Sequence, residues 1–208
     1  MLSIRPRRRA KLRLQGSSVP TVDVFITCCK EDIDVVLDTA RAACAVDYPG
    51  DRFRVVILDD GKENGLQKAI EDLALEYPNL YYHSRLKIKG SPHHFKAGNL
   101  RDGADFVTRL DGGEGEYIAA LDADMIPEPD WLRALVAHLV RDDRLALACL
   151  PQVCRDNTDY STQRSQLDCC STMCQKTTPS LNHSMPLSTL WSLRRMRMEL
   201  PGVLALVM

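Results

Sequence analysis

Short apolar segments alternate with amphipathic segments through most of this chain, and this alternation constrains the fold more than any other feature of the sequence. The run FRVVILDDG, at residues 53–61, is typical of a strand that is buried on both faces before it ends in a polar turn. The predicted strands are residues 22–27, 53–59, 80–84, 117–121 and 145–151, and the predicted helices are residues 33–44, 66–77, 96–107 and 129–141. Strands that alternate with helices predict an α/β fold, in which a mostly parallel, doubly wound sheet is flanked by helices.

Composition divides the chain into three parts. Residues 1–18 carry a run of arginine and lysine with no apolar stretch behind it, which predicts a solvated, disordered arm. The alternative for this arm is a juxtamembrane basic segment that faces anionic lipid. Residues 19–152 hold the whole strand and helix pattern. Residues 153–208 are rich in Ser, Thr and Cys and have no sustained period, so we predict an irregular tail with at most one short helix near Trp191 and no continuation of the sheet.

Charge, hydropathy and cysteine spacing indicate which partners and surroundings the sequence does not favour. The formal net charge of −1 gives the chain no general attraction to nucleic acid, and we expect no nucleic-acid partner. No segment approaches the roughly 20 apolar residues that a spanning helix needs. The eight cysteines form no CxxC pair, which favours reduced thiols in a cytosolic setting. A zinc site of Cys170, Cys174 and His183 is the alternative, but its spacing fits no common pattern.

The ends of the predicted strands carry the polar residues of interest. In open, mostly parallel sheets, ligands bind beyond the carboxyl ends of the strands. Thr27 ends the first strand, Asp59 and Asp60 end the second, and Asp122 and Asp124 follow the fourth. We therefore expect all five residues to converge on one crevice.

Asp122 and Asp124 are separated by one residue, so their carboxylates point to the same side of an extended segment. Oxygen ligands at a strand tip suit Mg²⁺ or Mn²⁺, which takes its remaining ligands from water and substrate phosphates. The alternative is that the two aspartates cap the following helix. Pro127 and Pro129 separate the pair from that helix, which favours the metal site.

Asp59 and Asp60 have two interpretations. A carboxylate at a strand end accepts hydrogen bonds from ribose hydroxyls or a base N–H in nucleotide sites. Asp-Gly is also a turn signal, and for this pair alone the turn is the simpler interpretation. The Asp122 and Asp124 pair at the same predicted crevice favours nucleotide contact.

The segment PHHFKAGNL supplies positive charge beside these carboxylates. Lys96 begins a predicted helix, where its ammonium group and free backbone N–H groups form a natural anion site. We therefore predict that Lys96 contacts phosphate. His94, two residues earlier, either helps to hold a phosphate or only packs.

Four ordered blocks, VDVFIT, VVILDDG, HFKAGNL and AALDADMIPEPDWL, resemble the family 2 glycosyltransferases, and most of all the cellulose synthase-like branch. The resemblance covers about residues 19–152. It implies a GT-A type, Rossmann-like fold, a UDP-sugar donor such as UDP-glucose, a glycan acceptor and a divalent ion, Mg²⁺ or Mn²⁺. The implied roles are uridine contact for Asp59 or Asp60, a place near the base for Thr27, diphosphate contact for Lys96, and donor and metal contact for Asp122 and Asp124.

The family reaction is a single displacement that inverts the anomeric centre. It uses an aspartate of a T-E-D motif as general base and a Q-x-x-R-W block that holds the acceptor. Neither motif occurs here, and Glu199 is the only glutamate of the tail. The catalytic base is therefore unassigned, and we hypothesise that the chain is a truncated or frame-shifted product. The alternatives are a nucleotide-sugar-binding remnant that holds the donor without transfer, and a phosphatase-like enzyme with an aspartyl nucleophile.

The resemblance also implies a location. Members of the cellulose synthase-like branch are embedded in a membrane by flanking helices, with the catalytic domain on the cytoplasmic side. From the sequence as written we expect a soluble or peripheral protein.

Overall fold

The computed structural model describes residues 11–86 and 94–149 and the backbone of residues 203–204. A parallel sheet has the strand order β3-β2-β1-β4-β5, with β1 in its centre. The strands and helices along the chain are β1 (Val22–Cys28), α1 (Ile33–Cys44), β2 (Phe53–Asp59), α2 (Asn64–Ala74), β3 (Leu80–His83), α3 (Phe95–Val107), β4 (Tyr117–Asp122), α4 (Trp131–Arg141) and β5 (Val203–Leu204). The first four strands and all four helices lie within one helical turn of their predicted bounds.

The sheet is covered by helices on both faces, which explains why β1 and β2 are buried along almost their whole length. Val24 and Ile26 of β1 point into the larger core, which α1, α2 and α4 complete. Phe25 of β1 points to the other face, where it packs with Leu100 and Val107 of α3. The predicted architecture, an α/β fold with a mostly parallel sheet between helical layers, is therefore confirmed.

Helix α3 packs close to β2, and this contact fixes the helix end that carries Lys96. A Cβ atom on Gly103 would lie 2.6 Å from Cδ1 of Leu58, so the helix reaches this distance only with glycine at that position. One turn earlier, Asn99 donates a hydrogen bond from Nδ2 to the carbonyl oxygen of Leu58 (2.9 Å). Helix α3 is thus attached to β2 just before that strand reaches its carboxyl end.

The predicted strand at residues 145–151 is wrong for the part that the structure describes, since residues 145–149 have no strand partner there. Leu145 and Ala148 pack into the larger core and Leu147 packs on the opposite face, so the segment buries its apolar side chains without joining the ladder. Its apolar pattern reflects this burial and not backbone pairing. Leu150 and Pro151 lie outside the described residues.

The edge of β4 pairs instead with β5, in which Val203 lies beside Tyr117 and Leu204 beside Ile118. We predicted no continuation of the sheet after residue 152, and this pair corrects that prediction. A strand of two residues is too short to show a hydrophobic period in the sequence. Its pairing depends on backbone groups that lie far away in the chain. The predicted helix near Trp191 and the cysteines of the tail lie outside the described residues.

Residues 11–18, predicted as part of a disordered arm, pack on the domain. The backbone N–H of Leu14 donates to the carbonyl oxygen of Arg133 (3.1 Å), and the Leu14 side chain is partly buried against the core. Arg13 forms a salt bridge with Asp47 (2.5 Å). These contacts hold residues 11–18 against the domain, so the predicted boundary at residue 18 is too late. Residues 1–10 are outside the described part.

Two smaller findings bear on the predicted location and thiol chemistry. Within the residues that the structure describes, no helix has the length and apolar character needed to cross a membrane. Cys28, Cys29 and Cys44 carry free thiols. Burial raises the pKa of Cys44 to about 12, so this thiol stays protonated and behaves as a small apolar side chain.

Candidate functional site

The parallel register brings three of the predicted site residues to the same edge of the sheet. Thr27 of β1 lies directly beside Asp122 of β4, and Cys28 lies beside Asp59 of β2. The carboxyl ends of three adjacent strands therefore meet at this edge, as the strand-end rule predicts.

Asp122 is in contact with two of the other predicted site residues. Its Oδ1 atom accepts a long hydrogen bond from the hydroxyl of Thr27 (3.4 Å) and contacts the ammonium group of Lys96. The Lys96 and Asp122 side chains are 39% and 42% exposed, so a ligand has access to both. A basic residue from α3 and an acidic residue from β4 thus share one open position above the sheet.

Asp124 lies on the turn after β4 and its side chain is exposed. The backbone N–H of Met125 donates to the carbonyl oxygen of Asp122 (3.1 Å), which closes this turn. The hydroxyl of the fully buried Thr39, on α1, donates to the carbonyl oxygen of Ala123 (2.6 Å). Because Ala123 lies between the two aspartates, this hydrogen bond helps to hold the backbone that carries both carboxylates.

We expect Thr39→Val to destabilise the fold by about 1–3 kcal/mol, because valine leaves the carbonyl oxygen of Ala123 without its buried donor. The measurement is urea unfolding of the full chain, followed by far-UV circular dichroism. Thr108→Val is the matched control, since the Thr108 hydroxyl also donates to a carbonyl oxygen but lies exposed at the end of α3. The control should stay within about 0.5 kcal/mol of wild type. Equal effects of the two substitutions would contradict the role assigned to Thr39.

Asp59 is buried, and its carboxylate accepts hydrogen bonds mainly from the turn that follows it. Its Oδ1 atom accepts from the backbone N–H groups of Gly61 (2.7 Å) and Lys62 (3.1 Å). Its Oδ2 atom accepts from the N–H of Glu63 (2.8 Å) and the hydroxyl of Tyr82 (2.7 Å). Burial, together with the hydrogen bond to this carboxylate, raises the pKa of Tyr82 above its ordinary value, so the phenol remains a donor. Asp59 thus organises the turn that carries its neighbour Asp60.

The carboxylate of Asp60 has a different hydrogen-bond partner from that of Asp59. Arg85, which follows β3, donates from Nε to Oδ1 of Asp60 (2.5 Å) and from Nη2 to Oδ2 (3.1 Å). The same Nη2 group donates to the carbonyl oxygen of Phe95 (3.3 Å), at the start of α3. Arg85 therefore joins the turn after β2 to the helix end that carries Lys96. Contacts run without a break from Asp60 through Arg85 to α3, and from Lys96 on α3 to Asp122.

His94 precedes α3 with an exposed side chain and a left-handed backbone (φ 50°). Phe95 also has a positive φ of 42°, which is rare for an aromatic residue, and 84% of it is exposed. The hydrogen bond from Arg85 to Phe95 helps to hold this backbone. The predicted loop at residues 90–92 lies outside the described residues.

Three residues of this region were missed from the sequence: Thr39, Tyr82 and Arg85. Arg85 had a usable signal, because it is a basic residue immediately after a predicted strand and thus at the same sheet edge as the carboxylates. Tyr82 and Thr39 had none, since each looks like an ordinary residue of a half-buried strand or helix.

The donor set at this edge fits a hard divalent cation. Asp122 and Asp124 offer carboxylate oxygens on one exposed turn, and Mg²⁺ and Mn²⁺ prefer oxygen ligands. The described part of the chain holds no cluster of three or more His, Cys, Asp or Glu residues suited to a metal ion. Two carboxylates with open positions beside them suit an ion that takes its other ligands from water and substrate phosphates.

Comparison with known proteins gives a family match. A model of the family described as "Glycosyl transferase family 2" matches residues 23–199, a range that continues beyond the described residues. The cellulose synthase catalytic subunit [UDP-forming] of Pseudomonas fluorescens (strain SBW25) is 32% identical over 148 residues, which is 70% of this chain and 18% of that protein. Cellulose synthase 2 of Novacetimonas hansenii is 33% identical over 145 residues, which is 70% of this chain and 8% of that protein. This chain therefore spans less than a fifth of the length of these two relatives.

Two solved structures share the fold. The mannosyltransferase PcManGT from Pyrobaculum calidifontis, in complex with GDP-Man and Mn²⁺, has a TM-score of 0.55 and 21% identity, over 70% of this chain and 40% of that chain. GalNAc-T7 with UDP, GalNAc and Mn²⁺ has a TM-score of 0.51 and 20% identity, over 68% of this chain and 26% of that chain. At these identities the likeness concerns the fold alone, and it confirms the predicted GT-A type.

Proposed function

Because this chain belongs to glycosyl transferase family 2, we propose that it binds a UDP-sugar together with Mg²⁺ or Mn²⁺ at the carboxyl edge of its sheet. The complete proposal is transfer of the hexose to a glycan acceptor with inversion of configuration. One observation carries the donor half of this proposal: Lys96 and Asp122, from two separate elements, contact each other at an exposed position where strand ends meet.

Each residue of this edge has a proposed part in binding the donor. We assign the uridine contact to Asp60 in preference to Asp59, because Asp59 is buried and held by N–H groups of its own turn, whereas Asp60 is partly exposed. Lys96, at the amino-terminal end of α3, is suited to the diphosphate, since the ammonium group and the free N–H groups of that helix end both attract an anion. His94, exposed at the same helix end, is a second candidate for phosphate contact. Thr27 lies near the base in this assignment.

The metal belongs to Asp122 and Asp124 in this proposal. When bound, a divalent ion supplies neutralisation of the charge that develops on the departing diphosphate. Asp122 and Asp124 would hold the ion at the sheet edge, and Thr39 holds the turn between them through Ala123. Lys96 adds a positive charge in contact with Asp122.

Calorimetric titration of the full chain with UDP-glucose and Mn²⁺ tests the donor site. We expect measurable binding to wild type that EDTA abolishes, and a loss of affinity of at least about tenfold in Asp124→Ala, since a lost metal ligand typically costs at least that much. Asp72→Ala, on the exposed face of α2, is the matched control and should bind like wild type. Equal affinities for wild type and Asp124→Ala would remove the metal assignment.

A second function rests on a specific observation, which is that the sequence contains neither a T-E-D nor a Q-x-x-R-W motif. The second proposal is a nucleotide-sugar-binding domain that holds the donor without transferring it. Release of UDP, measured with and without a glucan acceptor, separates the two functions. Release stimulated by acceptor supports the transferase, whereas manganese-dependent binding without such release supports the binding domain.

A further inference from the structure

Lys96 balances the negative charge of Asp122 even in the absence of a ligand. Its ammonium group contacts Oδ1 of Asp122, the atom toward which the Thr27 hydroxyl also points. Asp124 is the next acidic residue along the same turn. The proposed metal ligand Asp122 is therefore already neutralised by a cation that belongs to the chain.

This ion pair changes the electrostatics of metal binding. A divalent ion that approaches Asp122 alone meets the positive charge of Lys96 at close range, and like charges at such distances repel even in a solvated site. Asp122 also has one of its oxygens engaged by Lys96. Binding of the bare ion is thus weakened both by repulsion and by the occupied oxygen.

The Lys96 side chain is free to leave Asp122 without a change in the backbone. It is a flexible chain with a terminal ammonium group, and it is 39% exposed. The helix end from which it projects is held by the hydrogen bonds of Asn99 to Leu58 and of Arg85 to Phe95. A diphosphate offers this ammonium group new anionic partners at the same helix end.

We propose that Lys96 serves as an internal counter-ion for Asp122, and that the site consequently takes the divalent ion and the diphosphate together as one complex and binds the bare ion poorly. This inference rests on the proposed function, because it assumes the same acidic pair and the same ligand. On arrival of the diphosphate, Lys96 moves from Asp122 to a phosphate oxygen and leaves the Asp122 carboxylate available.

The test compares three titrations of the full chain: Mn²⁺ alone, UDP alone, and UDP with Mn²⁺. We expect Lys96→Met to bind Mn²⁺ alone on the order of tenfold more tightly than wild type, since it removes one repelling charge and frees one oxygen. The same variant should bind the UDP complex on the order of tenfold more weakly, because the diphosphate loses a charged partner. Lys96→Arg keeps the charge and should bind Mn²⁺ alone as poorly as wild type.

Two control variants make the result specific. Lys68→Met, on the exposed face of α2, removes a lysine elsewhere and should change none of the affinities. Adding Asp122→Asn to Lys96→Met should abolish the gain in Mn²⁺ affinity. Thermal unfolding followed by circular dichroism verifies that each variant is folded, which we expect because Lys96 and Asp122 are both partly exposed and outside the core.

The outcomes separate this inference from the proposed function. If wild type binds UDP with Mn²⁺ but folded Lys96→Met binds Mn²⁺ alone no more tightly than wild type, the counter-ion role is overturned and the donor site stands. If wild type fails to bind UDP with Mn²⁺ while Lys96→Met still gains affinity for Mn²⁺, the counter-ion role stands and the donor assignment fails. Absence of Mn²⁺ binding in wild type and every variant, both with and without UDP, overturns both.

Discussion

Asp59→Ala is expected to destabilise the full chain by about 3–4 kcal/mol, because it leaves several buried donors without an acceptor. The carboxylate is 1% exposed and accepts from three backbone N–H groups and from the hydroxyl of Tyr82. Each donor left without a partner costs about 1–3 kcal/mol, but the turn relaxes and the costs do not add fully. Urea unfolding followed by circular dichroism measures the change.

Two further variants show whether the effect belongs to this carboxylate. Tyr82→Phe removes only one of the four donors and should cost about 0.5–1.5 kcal/mol. Asp60→Asn changes the adjacent carboxylate but keeps an oxygen for Arg85, so we expect a smaller loss of stability than for Asp59→Ala. If Asp60→Asn proved the more destabilising of the two, the assignment of Asp59 to the turn and Asp60 to the ligand would be reversed.

The two interpretations of Asp59 and Asp60 illustrate what the sequence alone leaves open. The Asp-Gly signal and the nucleotide pattern both fit the pair, and local sequence has no means to divide the two roles between neighbours. The division follows from Tyr82 and Arg85, which β3 brings to the two carboxylates from more than twenty residues away. A side-chain partner that is distant in sequence is visible only in the folded chain.

The position of the site was predictable because it depends on a rule about whole strands. Thr27 and Asp122 end parallel neighbours, so their contact follows from the sheet and requires no detail of side-chain packing. Lys96 reaches the same point because α3 begins there. The roles of these residues in binding a donor stay predictions, which the titrations above are designed to test.

The outer strand beside β4 was not predictable, because its position depends on backbone pairing and not on a pattern of side chains. The apolar pattern of residues 145–149 is real, but it reports burial, and a segment can be buried without pairing. The strand that does pair with β4 has only two residues, and its register is set by backbone groups. Hydrophobic periodicity therefore identifies the central strands well and the edge strands poorly, because only the central strands are buried on both faces along their length.

The second large effect is expected at the amino-terminal ends of β1 and β2, where Asp23 and Arg54 form a buried ion pair. Arg54 donates from Nε to Oδ1 of Asp23 (2.8 Å), and its Nη2 atom lies 2.7 Å from the same oxygen. The backbone N–H of Gly115 donates to Oδ2 (2.7 Å), and Nη2 of Arg54 also donates to the carbonyl oxygen of Gly113 (2.5 Å). The pair thus joins β1 and β2 to the loop that precedes β4.

Burial raises the pKa of Asp23 despite the opposing effects of Gly115 and Arg54, which means that desolvation of this carboxylate outweighs its favourable contacts. An ion pair of this kind contributes little net stability compared with well-packed apolar residues, but loss of one partner leaves a buried charge alone. Asp23→Ala should therefore destabilise the fold by about 3–5 kcal/mol, and Arg54→Met should have an effect of similar size.

The double variant Asp23→Val with Arg54→Met separates this explanation from simple loss of contacts. If desolvation dominates, removing both charges restores most of the stability that either single substitution loses, apart from the unpaired N–H of Gly115. A double-mutant cycle measured by urea unfolding gives the coupling between the two residues. Additive losses in the double variant would show that the two residues contribute independently of each other, which would contradict the role of a coupled buried pair. Because the pair lies at the amino-terminal ends of the strands, the same variants should leave the affinity for UDP and Mn²⁺ unchanged wherever the chain remains folded.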